Sequence, residues 1–171
     1  SHFYLAHKLF PLLYKSTMPR VVITASEVHN PQSPGGQVGK RAGLSELEGI
    51  KKLSDFEMID GVSLFDADKA YKDSKLCNVL FAKELSRKLV MRNIDIPIIC
   101  WAPGLVIPLS KEGFFRHSRR NNEFGQILFA FIARDLLRIT ESPQNAGKIL
   151  FNLSTFESYQ KEKFLYLSNN I

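Results

Sequence analysis

Arg20-Val21-Val22-Ile23-Thr24-Ala25-Ser26 is a short, β-branched and nearly continuous apolar run. A strand with one wet face alternates apolar and polar residues, whereas a strand buried on both faces does not. The run therefore reads as a strand of a parallel sheet covered by helices on both sides. Ile96-Pro97-Ile98-Ile99-Cys100-Trp101 has the same character, and Pro103-Gly104 ends it. Between the two lies a long helix from about 68 to 91. Asp66 or Asp68 can cap it, and Leu76, Val79, Leu80 and Leu89 supply its apolar periodicity. Strand, long helix and strand make a parallel crossover.

Working outward, residues 3–16 read as a helix with Phe3, Ala6, Leu9, Phe10 and Leu13 near one face and Pro11 as a kink point. Phe124, Ile127, Leu128, Phe131 and Ile132 recur at helical spacing. Ser142-Pro143 is an N-cap followed by Pro at the first helical position, opening a helix to about 153. Lys163-Phe164-Leu165-Tyr166-Leu167 is a last short strand. This order is α/β, part of a doubly wound parallel sheet of the Rossmann type. Residues 27–66 interrupt it. Pro31, Pro34, Gly35, Gly36 and Gly39 punctuate a long loop, with one helical turn expected near Leu44–Leu53. Strand-to-helix connections commonly take ~2–6 residues, so 27–66 is an insertion loop, expected beside the active site.

The chain has 171 residues, one domain's worth. Its 44% hydrophobic and 23% charged residues argue against disorder, collagen and coiled coil. No apolar run reaches the roughly 18 residues of a spanning helix. A net charge of +6 permits an anionic cofactor, an acidic membrane surface or nucleic acid and selects none of them. No nucleic-acid motif is present. Cys77 and Cys100 read as reduced thiols of an intracellular protein. His2, His7, His29 and His117 show no metal-ligand spacing, so no metal site is expected. Arg116, Arg119 and Arg120 suit either a solvated face or an anionic partner. Phe114, Phe115, Phe124, Phe129 and Phe131 suit core packing, an apolar substrate or a peripheral membrane contact.

Tyr71 and Lys75 lie four residues apart on the long helix and share a face. A free phenol is a poor acid–base group at neutral pH, and a nearby ammonium favours the phenolate. Such a pair can move a proton to or from a carbonyl oxygen. Tyr-x-x-x-Lys also arises by chance in many helices, so context decides. Ser26 ends the first strand, where residues at the C-terminal edge of a parallel sheet face the ligand crevice.

A strand-end Ser, a helical Tyr-x-x-x-Lys and a strand ending in Pro-Gly together resemble the second half of a short-chain dehydrogenase/reductase. Met58-Ile59-Asp60-Gly61, Phe65-Asp66 and Lys69-Ala70-Tyr71-Lys72-Asp73-Ser74-Lys75-Leu76-Cys77-Asn78 resemble, within that superfamily, the light-dependent protochlorophyllide oxidoreductases. So do the long insertion and Ser26-Glu27-Val28-His29-Asn30-Pro31, with a weaker likeness through Glu141–Gly147. The resemblance covers most of the chain, and 58–78 is its specific part. Trp101-Ala102-Pro103-Gly104-Leu105 departs from the family's usual Tyr-Pro-Gly-Cys run, and Val106-Ile107-Pro108 stands where a cofactor-side Thr often follows.

The resemblance implies an NADPH-dependent oxidoreductase that reduces a pigment double bond in chlorophyll synthesis, triggered by light. It implies Tyr71 as proton donor and Ser26 as the residue that orients substrate. Lys75 eases ionisation of the phenol and, with Tyr71, holds the nicotinamide ribose. Pro103 and Gly104 border the cofactor, and Cys77 touches the substrate. The substrate is then a small molecule, a tetrapyrrole pigment or another apolar compound, and a homo-oligomer is open. The compartment expected is intracellular: a plastid in a photosynthetic eukaryote, and otherwise the cytoplasm or one the sequence leaves open. Two alternatives stand: a related reductase acting on a carbonyl or alcohol such as a retinoid or steroid, and an inactive fragment or scaffold. The superfamily's Gly-rich dinucleotide loop and Asn-Ala-Gly run belong upstream of a sequence like Ser1-His2-Phe3. Residues 1–171 are thus expected to be a single partial catalytic domain, the C-terminal part of a protein of roughly 300 residues lacking its N-terminal cofactor-binding half.

Overall fold

A computed structural model describes residues 2–52, 57–107, 133 and 140–168. Helix α1 spans His2–Lys15, with Pro11 inside it. Strand β1 (Val21–Thr24) follows, then a single 3₁₀ turn at Glu27–His29. One-turn helices α2 (Pro34–Gln37) and α3 (Glu48–Lys51) lie within the insertion. Helix α4 (Ala67–Met91) is followed by β2 (Ile98–Ala102), β3 (Leu105–Val106), β4 (Thr140–Glu141), α5 (Pro143–Thr155) and β5 (Phe164–Ser168).

The chain divides into two compact units. The first holds Ser1–Ala102 with Glu157–Ser168 and contains a three-stranded parallel sheet of order β1-β2-β5. Val21 pairs with Ile98 and Thr24 with Trp101, while Ile98 pairs with Phe164 and Ala102 with Ser168. Central β2 is buried at every residue, as its unbroken apolar run requires. It begins at Ile98 rather than Ile96 because Pro97 has no N–H for the ladder; the Pro97 carbonyl still accepts from Val21 N at 3.0 Å. β1 ends at Thr24, although Ala25 N donates once more to Trp101 O at 2.7 Å.

The core of this unit joins sheet and helix: Ile23, Ala25, Ile98 and Cys100 meet Val79, Ala82 and Leu89 of α4, with Phe10 and Leu13 of α1 packed against them. Ala82 is fully buried, and its small side chain lets α4 lie close to the sheet. Fully burying one such Ile side chain contributes about 1.5–3 kcal/mol. Phe3 of α1 meets Phe81 of α4 edge-on, with ring centroids 5.8 Å apart.

The second unit holds Pro103–Phe156. In it β3 pairs in parallel with β4. Ser142 caps α5, its hydroxyl accepting from Asn145 N at 3.1 Å, with Pro143 in the first turn where no N–H is missed. The helical pattern at Phe124–Ile132 and the residues Pro108, Phe114, Phe115, Arg116, His117, Arg119 and Arg120 lie outside the described residues. Among the described residues no helix is long and apolar enough to cross a membrane.

Candidate functional site

Asp66 starts α4 by accepting a hydrogen bond from Lys69 N at 2.8 Å. Tyr71 and Lys75 then stand one turn apart, and the Lys75 ammonium lies 5.5 Å from the centroid of the Tyr71 ring. Lys75 Nζ donates to the Thr24 carbonyl at 3.2 Å, and Asn78 Nδ2 donates to the same oxygen at 3.3 Å. The pair therefore stands at the C-terminal end of β1. Burial holds the Lys75 ammonium below the usual lysine range, with neighbouring Cys100 acting in the opposite sense.

Ser26 lies two residues past the end of β1 and not on the strand itself. Its backbone is still extended (φ −162°, ψ 143°), and it opens the 3₁₀ turn. The Ser26 carbonyl accepts from His29 N at 3.3 Å and lies 2.6 Å from His29 Nδ1. One residue on, the Glu27 carboxylate accepts from Tyr166 Oη at 2.6 Å, and His29 packs edge-on to the Tyr166 ring at 5.8 Å. Burial, then the Glu27 hydrogen bond, pushes the Tyr166 phenol above its ordinary range. The turn carrying Ser26 is thus tied to β5.

Cys77 is half-buried on α4; burial, then the Asp73 charge, raises its thiol. Cys100 is fully buried, and burial pushes its thiol up to about 11. Pro103 and Gly104 belong to the second unit, where Gly104 takes a left-handed φ of +78° that suits glycine.

A buried charged cluster beside Tyr71 was not legible as a site in the sequence. Lys69 Nζ donates to Asp73 Oδ2 at 2.6 Å and to the Gly43 carbonyl at 2.8 Å, and lies 3.4 Å from Asp60 Oδ2. Asp73 Oδ1 accepts from Gly43 N at 2.8 Å. Asp60 accepts from Val62 N at 3.1 Å, Ser63 N at 3.0 Å and Ser63 Oγ at 2.7 Å. The Ser63 hydrogen bonds hold the Asp60 carboxyl far below the ordinary carboxylate range. Burial alone would lower the Lys69 ammonium, but the hydrogen bonds and charges of Asp73 and Asp60 raise it instead. Lys72 Nζ donates to the carbonyls of Gly36 at 3.4 Å, Lys40 at 2.9 Å and Val38. Lys69 and Asp73 are an i, i+4 pair, a signal the sequence does carry; nothing in it marks the pair as buried.

No family model matches the chain. It is 40% identical over 175 residues to protochlorophyllide reductase, chloroplastic, of Pisum sativum, covering 99% of this chain and 42% of that protein. Protochlorophyllide reductase A, chloroplastic, of Oryza sativa subsp. japonica is 40% identical over 121 residues, 67% of this chain and 30% of that protein. The chain thus spans less than half the length of these relatives. Among solved structures, the 3-alpha-hydroxysteroid dehydrogenase from Pseudomonas sp. B-0831, complexed with NADH, superposes with a TM-score of 0.62 at 17% identity, covering 96% of this chain and 59% of that one. By fold, then, the chain is α/β of the Rossmann type, with helices packed on a parallel sheet, and by sequence it is a homologue of the protochlorophyllide reductases.

Proposed function

We propose that this chain is the Tyr/Lys-bearing part of an NADPH-dependent reductase that acts on a double bond of a protochlorophyllide-like pigment. The observation that carries the reading is the placement of Lys75: one turn from Tyr71, against its ring, and hydrogen-bonded to the last residue of β1. In doubly wound folds ligands bind at the carboxyl ends of the strands, and this pair stands at such an end. An ammonium has three N–H donors. The Thr24 carbonyl engages one, so the chemistry of Lys75 fits the hydroxyls of a nucleotide ribose.

When bound, NADPH supplies the hydride. Tyr71 gives its phenolic proton to the atom of the double bond that does not receive the hydride, and solvent later restores it. Lys75 stabilises the phenolate left behind and, with Tyr71, holds the ribose. Ser26, at the start of the turn pinned by Tyr166, orients the substrate. The roles of Pro103 and Gly104 beside the cofactor, and of Cys77 against the substrate, rest on the sequence resemblance.

Val62, Leu64 and Phe65 are 83%, 75% and 67% exposed just before α4. Three exposed apolar side chains within four residues support an apolar pigment or a peripheral membrane surface as what meets them. The chloroplastic location in the names of the pea and rice relatives supports a plastid.

The test is turnover of protochlorophyllide with NADPH under illumination by the complete native protein. Tyr71→Phe keeps the ring and removes the proton, so the rate should fall by roughly 10²–10⁴, the usual weight of general acid catalysis. Wild-type turnover in Tyr71→Phe would end the proton-donor assignment. A wild-type protein inert towards NADPH and pigment would end the reading as a whole.

A further inference from the structure

We propose that Lys69 and Lys72 are positioning residues through which the insertion sets the place of Tyr71. This rests on the reading of Tyr71 as the proton donor.

The two lysines flank Tyr71, two residues before it and one after, and both are buried, at 6% and 4% exposure. Lysine is almost never so buried unless its charge is matched. Here each is matched by the insertion. Lys69 reaches the Gly43 carbonyl and Asp60, and Lys72 reaches carbonyls of Gly36, Val38 and Lys40. Asp73, 1% exposed, takes the other side of Lys69 and also binds Gly43 N. Lys69 with its two carboxylates, and Lys72 with its three carbonyls, join two stretches of the insertion, 36–43 and Asp60, to one stretch of helix.

Tyr71 is 37% exposed, and its ring meets the Lys75 ammonium at 5.5 Å. It sits near the N-terminal end of α4, where helices fray. Beyond the Asp66 cap, the buried neighbours at 69, 72 and 73 fix this end. A proton donor displaced by about 1 Å can lose on the order of 10²-fold in rate. The insertion therefore acts on the reaction through the helix, without touching the reacting atoms.

Lys72→Met and Lys69→Met in the complete native protein test this, with Tyr71→Phe as reference. Lys72→Met should speed backbone amide exchange across 36–43 at least tenfold. It should lower kcat by roughly 10–100-fold while the NADPH Kd and the pigment KM stay within about threefold. If Lys69→Met does not fold, Asp60→Asn takes its place. It keeps an acceptor for Val62 N and Ser63 N, removes one of the two charges facing Lys69, and should give a smaller kcat loss of the same kind. Faster exchange with kcat unchanged would overturn the proposal, leaving the cluster a purely structural tie. So would a kcat loss without faster exchange, or a raised KM at constant kcat. Retained turnover in Tyr71→Phe would end the proton-donor reading and this proposal with it, whereas a slow Tyr71→Phe beside an unimpaired Lys72→Met would end this proposal alone.

Discussion

Gly49→Ala adds one methyl group where the insertion has no room for it. Gly49 lies in α3, and a Cβ built there would stand 2.4 Å from the Met58 carbonyl oxygen and 2.8 Å from that of Ile59. Reaching the 3.4 Å of ordinary contact takes about 1 Å of separation between two backbone segments, and neither atom is the end of a flexible side chain. That movement breaks the hydrogen bond from Gly49 N to Ile59 O, 2.9 Å in the native fold, costing about 1 kcal/mol. Overpacking adds roughly 1–3 kcal/mol. The better helix propensity of alanine returns about 0.5–1 kcal/mol. The net is about 2 kcal/mol against the native pairing of 48–51 with 58–61, or roughly 30-fold in a local opening equilibrium. Amide exchange followed by mass spectrometry in peptides covering 57–63 reads that factor directly. Gly43→Ala is the control. Nothing lies within 4 Å of its Cβ, although its N–H and carbonyl both serve the Asp73–Lys69 pair. That variant should match wild type or gain up to about 0.5 kcal/mol. If Gly43→Ala speeds exchange as much as Gly49→Ala, backbone crowding is not what holds the insertion, and the reasoning fails.

Tyr166→Phe should cost about 1.5 kcal/mol by removing a hydrogen bond to a charged partner, read by guanidinium unfolding at pH 7. The Tyr166 pKa is raised above the unfolded value near 10, so its contribution is complete below about pH 10 and is lost as pH rises further. Tyr166→Phe should flatten that alkaline loss, and an unaltered alkaline limb would contradict the Glu27 pairing. Cys100, held at about 11 by burial, should resist iodoacetamide at pH 8 in the folded protein and react on unfolding, as mass spectrometry of tryptic peptides will show. Ile98→Ala, in the central strand with no exposure, should destabilise by about 2–5 kcal/mol in the same unfolding assay.

The parallel sheet was legible in the sequence because its strands need no alternation: Val21–Thr24 and Ile98–Ala102 carry unbroken apolar runs that a helix-covered sheet demands. α4 was legible to within a residue because Asp66 is a capping residue ahead of a sustained apolar period. The reading of Ser26 as the strand's last residue ran two residues long. Ala25 and Ser26 stay extended, and extension alone does not separate ladder from exit. The order inside 27–66 was hidden for a different reason. Its turns are held by Lys72 against carbonyls and by glycine backbones in contact, and neither leaves a periodic trace in the side-chain pattern. Tyr71 and Lys75 could be singled out from their spacing together with the strand-end Ser26, the Pro-Gly and the family resemblance. The backbone carbonyls that receive Lys69 and Lys72 lie 26 to 36 residues away in the chain, a separation at which no local pattern speaks.

The Thr24 carbonyl receives both Lys75 and Asn78. A carbonyl oxygen has two lone pairs, and here each has its own donor. The amide of Asn78 cannot ionise and is carried by the same helix one turn nearly complete from Lys75. When the ammonium turns toward another acceptor, the strand's terminal oxygen keeps a partner and its burial incurs no full desolvation penalty. The strand's end is therefore doubly secured: withdrawing the lysine leaves Thr24 O with the asparagine amide, so the two donors are redundant towards the backbone.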